Sequence, residues 1–232
     1  MMAAPDQHIY KLAAIYQVRV VDLGMLERIF ESGEQKIVED CREIIRIAKE
    51  SNSLLTKGFH DKEILEKIHK LEEKSDRKVF SIVEAISTGS VAPNAIDNFM
   101  VLLKKEDDIV DSIYNLSREM CRYRISNGKV EAEVDTKIRS LLLLAKSSID
   151  ALLVLFNEED IAKIKKQRHM VVEMEEEGDI IKDWLLSYAY AQEFEFKQFH
   201  YTIELAHKAD DILDSCRSTA DYFMNIMVSL TT

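Results

Sequence analysis

Two acidic segments of this chain each occur twice, and both recurrences are displaced by the same distance. Leu71-Glu72-Glu73-Lys74-Ser75-Asp76 returns as Met174-Glu175-Glu176-Glu177-Gly178-Asp179, 103 positions later. Asp107-Asp108-Ile109-Val110-Asp111-Ser112 returns as Asp210-Asp211-Ile212-Leu213-Asp214-Ser215, again 103 positions later. Two separate motifs that keep one offset point to an internal duplication, which restricts the chain to folds that can use one unit twice. Within each copy, 35 residues separate the first acid of one motif from the first acid of the next.

The unit is helical. Only 6 Gly and 2 Pro occur among 232 residues, too few for the many turns of a β-protein of this size. The strongest breaks are Ser32-Gly33, Lys57-Gly58, Thr88-Gly89-Ser90 with Pro93, and Ser126-Asn127-Gly128, with weaker ones near Asn157 and Glu193. Between them the apolar residues recur at spacings of three and four. Helices are predicted over about 8–31, 34–57, 61–88, 93–125, 131–156, 159–191 and 196–229, with ends uncertain by about 2–4 residues. The offset pairs 34–57 with 131–156, 61–88 with 159–191, and 93–125 with 196–229. The expected fold is all-α, with two tandem three-helix bundles related by a pseudo-twofold and packed as one domain. Residues 34–128 form the first repeat and 129–232 the second. Residues 1–33 carry an additional N-terminal helix outside the repeat, which Leu12, Tyr16, Leu23, Leu26 and Phe30 dock on the bundle or on another subunit.

Acids interrupt rows that are otherwise apolar. In the third predicted helix, Ile64, Ile68, Leu71, Ser75, Val79, Ile82 and Ile86 share one face, and an overlapping row includes Glu72 and Asp76. Asp107 falls in line with Ile96, Phe99, Leu103, Val110, Tyr114 and Ser117. Asp210 falls in line with Phe199, Ile203, Ala206 and Leu213, while Asp111 and Asp214 lie one step towards the rim. Carboxylates at i and i+4 on a helix project from one face and repel each other. Short connections make consecutive helices antiparallel neighbours. The pairs Glu72/Asp76 and Asp107/Asp111 are therefore expected to meet in one repeat, and Glu175/Asp179 and Asp210/Asp214 in the other. Four carboxylates without matching basic partners suit a hard cation held by oxygen: magnesium, calcium, manganese or iron, with zinc as an alternative. The opposing interpretation is that these acids form only the solvated edge of amphipathic helices.

These residues resemble the PhoU family, in its PhoU-like branch of phosphate transport regulators. The resemblance rests on Glu72-x-x-x-Asp76, Asp107-x-x-x-Asp111 and their copies, on the Asp-Asp-Ile-Val/Leu-Asp context and on the loop containing Pro93. It covers about residues 34–230. It implies two three-helix bundles about a pseudo-twofold, metal bound by the eight acids, often as iron, and a role in controlling phosphate uptake. The implied partner is a membrane phosphate transporter, commonly a secondary permease, or its regulatory partner. The second copy is less regular, because Gly178 interrupts the motif helix and Lys182 stands where Val79 stands in the first.

Other features narrow the expectation. A formal net charge of -11 disfavours nucleic acid as a partner. The basic run Lys163, Lys165, Lys166, Arg168 and His169 reads as a solvated face, or as a contact for an acidic partner or membrane surface. Cys41, Cys121 and Cys216 are odd in number and lack metal-type spacing, which suits a reducing compartment. With no signal pattern and no uninterrupted apolar run of about 18 residues, the expected location is cytoplasmic, either free or peripheral at the inner face of the membrane. A homo-oligomer is open. Glu66-x-x-His69 and Glu204-x-x-His207 have the spacing of ferritin-like di-iron oxidoreductases, but they break the 103-residue register. No phosphate loop, nucleophile elbow or His-Glu-x-x-His motif is present, and the chain is not expected to be an enzyme. A metal-free helical protein-binding module is the remaining alternative.

Overall fold

The computed structural model describes residues 32–58, 61–89, 92–93, 95–125, 130–158 and 160–231. The helix expected over 8–31 lies outside the described residues. Six α-helices and no strand occur among those described: α1 (Ser32–Lys57), α2 (Lys62–Ser87), α3 (Ile96–Ile125), α4 (Ala132–Asn157), α5 (Ile161–Ala191) and α6 (Phe196–Thr231). Their ends fall within three residues of the predicted ones. The largest difference is at α3, because Pro93 lies in the preceding turn and the helical bonds begin with Phe99 N–H to the Ala95 carbonyl.

Local chemistry explains the ends. Asp61 and Asp160 cap α2 and α5, their carboxylates accepting the backbone N–H of Glu63 at 2.9 Å and of Ala162 at 2.8 Å. Gly89, at φ +91°, turns the chain after α2 in a conformation that side chains resist. The C-terminus of α4 is closed from another helix. The Arg42 guanidinium on α1 donates two bonds, of 2.9 and 2.7 Å, to the Phe156 carbonyl, which satisfies an acceptor that the helix leaves unpaired.

The helices pack in a definite order. α1 lies against α3 and α4, and α6 lies against α3 and α4, so these four enclose the centre. α2 flanks this group against α1 and α3, and α5 flanks it against α4 and α6. One continuous cluster of buried side chains runs through the molecule, from Ile44 and Ile45 of α1 through Leu142 and Ile149 of α4 to Phe223 of α6. The Phe156 and Phe223 rings meet at 4.4 Å between centroids. Asn52 is fully buried and donates to the Leu142 carbonyl at 3.0 Å, which ties α1 to α4 without leaving its amide N–H unmet. The row predicted on α2 is inward: Ile68, Ser75, Ile82 and Ile86 are buried, and Ile64, Leu71 and Val79 pack partly buried against the core.

Gly178 does not interrupt its helix. α5 runs unbroken through it, and the residue is buried. A Cβ there would lie 2.3 Å from Cδ1 of Leu213 on α6, so Leu213 fills the volume a larger residue would need. The corresponding pair in the other half of the chain is Ser75 with Val110. The larger partner thus faces the smaller one. Gly178→Ser alone should destabilise the fold by about 1–3 kcal/mol through overpacking. Adding Leu213→Val should recover most of that loss, giving a non-additive cycle in urea unfolding. Additive losses would show that the two positions do not share one space.

Candidate metal centres

The two flanking helices carry the paired acids into two seams, α2 against α3 and α5 against α6. In the first seam, Ser75 on α2 donates to Asp107 on α3 at 3.4 Å, so the two motifs face each other across the interface. Glu72, Asp107 and Asp111 are partly buried, and Asp76 is exposed. Burial, followed by the charges of Asp111 and Asp76, raises the Asp107 carboxyl to about 6. Burial and then Asp76 raise Glu72, with Asp111 adding to the shift and His69 opposing it. Burial also raises Asp111, against Lys104 and with Asp76 and Asp108. Asp76 thus acts on Glu72, Asp107 and Asp111, and Asp111 acts on Glu72 and Asp107.

Lys104 and His69 lie near this seam, and neither forms an ion pair with Asp76, Asp107 or Asp111. Lys104 pairs with Asp108, and His69 contacts Glu72 at 3.2 Å while stacking on Tyr114. Among the described residues, no lysine or arginine makes an ion pair with Asp76, Asp107 or Asp111. The donor set is all oxygen, clustered and only partly compensated, which fits a hard cation chemically. As placed, no group of three or more His, Cys, Asp or Glu side chains among the described residues converges on one point for an ion. Holding one requires side-chain rotation within the seam.

The second seam has the same acids and a different balance. The Lys182 ammonium on α5 lies between Asp179 and Asp210 and bonds to both. Arg217 on α6 bonds to Glu175 at 2.6 Å. Lys182 is 19% exposed and the Asp210 side chain only 4%. Burial works against the Lys182 charge, but the bonds to Asp179 and Asp210 outweigh it and hold the ammonium well above its usual range. Burial raises Asp210 to about 6 despite Lys182, with Asp214 and Asp179 adding to the shift. Its Oδ1 is buried without a hydrogen-bond partner. Asp214 is exposed and makes no ion pair among the described residues. Three of the four acids in this seam are already compensated from within the chain, so this donor set does not fit a cation as the first one does.

Two residues of these seams escape motif reading. Arg217 corresponds to Tyr114 of the first copy, a difference visible once the 103-residue register is applied along the whole helix. Glu106 reads as one more acid in a charged run, yet it is fully buried on α3 and neither carboxyl oxygen has a hydrogen-bond partner. Its counterpart is Ala209, and its neighbours at helical spacing are Leu102, Leu103, Ile109, Val110 and Ile113. The remaining candidates lie at the surface. Glu66, His69 and His207 are exposed, and Glu204 pairs with Lys208 at 3.7 Å, whereas ferritin-like ligands project into the bundle. The basic run on α5 is largely paired with acids: Lys163 with Glu158, Arg168 with Asp221, and His169 with Glu173. All three cysteines are buried and free, and no helix among the described residues is long and apolar enough to cross a membrane. No protein-family model matches the chain, and no curated protein matches it.

Burial, with a lesser contribution from Asp107 and against the Cys41 thiol, raises Glu106 from 4.5 to about 8. Between those values the folded chain keeps a proton that the unfolded chain has released. This contribution is fully present below pH ~4.5 and is lost as pH rises through ~8. Unfolding free energy in chelator-containing buffer should fall from pH 5 to pH 8, with a slope from this group of up to about 1.4 kcal/mol per pH unit. Glu106→Gln should remove most of the slope above pH 6, where Asp107 no longer contributes strongly. An unchanged slope in that variant would place the proton elsewhere.

Proposed function

We propose that this protein is a metal-binding accessory regulator of phosphate transport that docks on a membrane phosphate transporter, or on its sensing partner, without catalysing a reaction. The observation that carries the metal assignment is the first seam: Glu72, Asp76, Asp107 and Asp111 gather across α2 and α3, with no lysine or arginine ion-paired to the last three and only the more distant charge of Lys104 opposing the rise of Asp107 and Asp111. These four residues hold the ion. A hard cation there supplies charge compensation within the seam and an open position for another hard donor such as a phosphate oxygen. The transporter link comes from the resemblance to the PhoU-like regulators. In this reading α1–α3 and α4–α6 are two three-helix units about an approximate twofold. Two features support that symmetry: the Ser112 and Ser215 hydroxyls, separated by 103 positions, lie 3.5 Å apart, and α1 meets α4 as α3 meets α6. Residues related by a twofold meet each other only next to its axis.

Elemental analysis of untagged protein should find bound iron or another hard cation, and Asp107→Asn with Asp111→Asn should remove it. Chelation should lower the melting temperature of the parent but not of that variant. The corresponding stabilisation is about 3 kcal/mol when free metal exceeds Kd by about 100-fold. In cells, deletion of the gene or the same double substitution should alter phosphate uptake or its response to starvation. Full metal retention by the variant would refute the site, and normal uptake in both strains would refute the regulatory role.

A further inference from the structure

We infer that Lys182 and Arg217 are the resident cations of the second seam, occupying by ion pairing the role that a metal ion takes in the first, so that metal binding is confined to one half of the molecule. The inference rests on the proposed metal reading of the first seam and adds an asymmetry to it. The 103-residue register compares the two seams position by position. Where the first has Val79 and Tyr114, the second has Lys182 and Arg217, and the other ligand-type acids are identical. The two substitutions are not scattered. Lys182 reaches Asp179 on its own helix and Asp210 on α6, and Arg217 reaches back from α6 to Glu175 on α5. Each cation therefore joins the two helices that a bridging metal would join.

Geometry separates this from ordinary surface pairing. Exposed ion pairs contribute little because water screens them, but the Asp210 and Glu175 side chains are 4% and 7% exposed. A carboxylate withdrawn to that degree stays ionised only with a counter-charge at close range. An ammonium already seated between Asp179 and Asp210 excludes a second cation by repulsion and by occupying the shared space. The second seam is thus a fixed strut that stays closed whatever the metal supply, while the first is the seam whose charge depends on metal.

The test uses Mn²⁺, a hard ion readable by its paramagnetism, with full-length protein. In an Asp107→Asn/Asp111→Asn background, no bound Mn²⁺ is expected while Lys182 and Arg217 are present. Adding Lys182→Val and Arg217→Tyr, the residues of the first seam, should create a Mn²⁺ site that Asp210→Asn abolishes. If that variant does not fold, Lys182→Gln with Arg217→Gln serves instead. Mn²⁺ bound at Asp210 while both cations remain would overturn the inference, as would a folded double replacement that gains no site. Should the parent protein bind no Mn²⁺ at all, the metal reading of the first seam fails by itself. The inference is then decided by the Lys182 and Arg217 replacements alone: instability restored by Mn²⁺ supports it, and instability indifferent to Mn²⁺ overturns it.

Discussion

Two carboxylates one helical turn apart repel each other, and the cost grows as the helix is pressed against a neighbour. For an exposed pair the repulsion is only a few tenths of a kcal/mol, and it grows as either carboxylate is withdrawn from water. Each outer seam of this molecule gathers two such pairs. A seam of this kind closes either with positive charge seated among its acids or with the proton affinity of those acids raised.

The two halves answer differently. Lys182 and Arg217 bring their own charge to the α5–α6 seam, and both reach across it. The α2–α3 seam has Val79 and Tyr114 at those positions, and its acids are left to raise one another's proton affinity. The central helices are indifferent to this choice. α1, α3, α4 and α6 bury a continuous apolar core, and the acids sit at its outer margin, where a change of partner does not disturb the packing. That separation lets similar helix pairs carry a seam of clustered, proton-binding acids on one side and a self-compensated seam on the other.

Glu106 is the exception to the separation. It stands one residue before Asp107 but points into the core, and burial is the main reason its proton is held near neutrality. The same position in the second half is Ala209, fully buried and uncharged. At this position the first half therefore carries a stability cost at alkaline pH that the second does not, beside the α2–α3 seam.

The sequence by itself determined the helical class, both ends of six helices to within three residues, the inward row of α2, and which acids share a helix face, because spacing along a regular helix is a local property. The 103-residue register also exposed Lys182 as an intruder among the acids. What it could not decide was where that lysine points: an ammonium on a long stem can reach water or a carboxylate, and only the proximity of α6 brings Asp210 within its reach. Gly178 shows the same limit. Read locally it weakens a helix, yet the tertiary structure gives its missing Cβ to Leu213 and leaves α5 whole. Glu106 had a sequence signal, the apolar Leu102, Leu103, Ile109, Val110 and Ile113 at helical spacing around it, but the adjoining charged run masked it, and packing decided which acid faces inward.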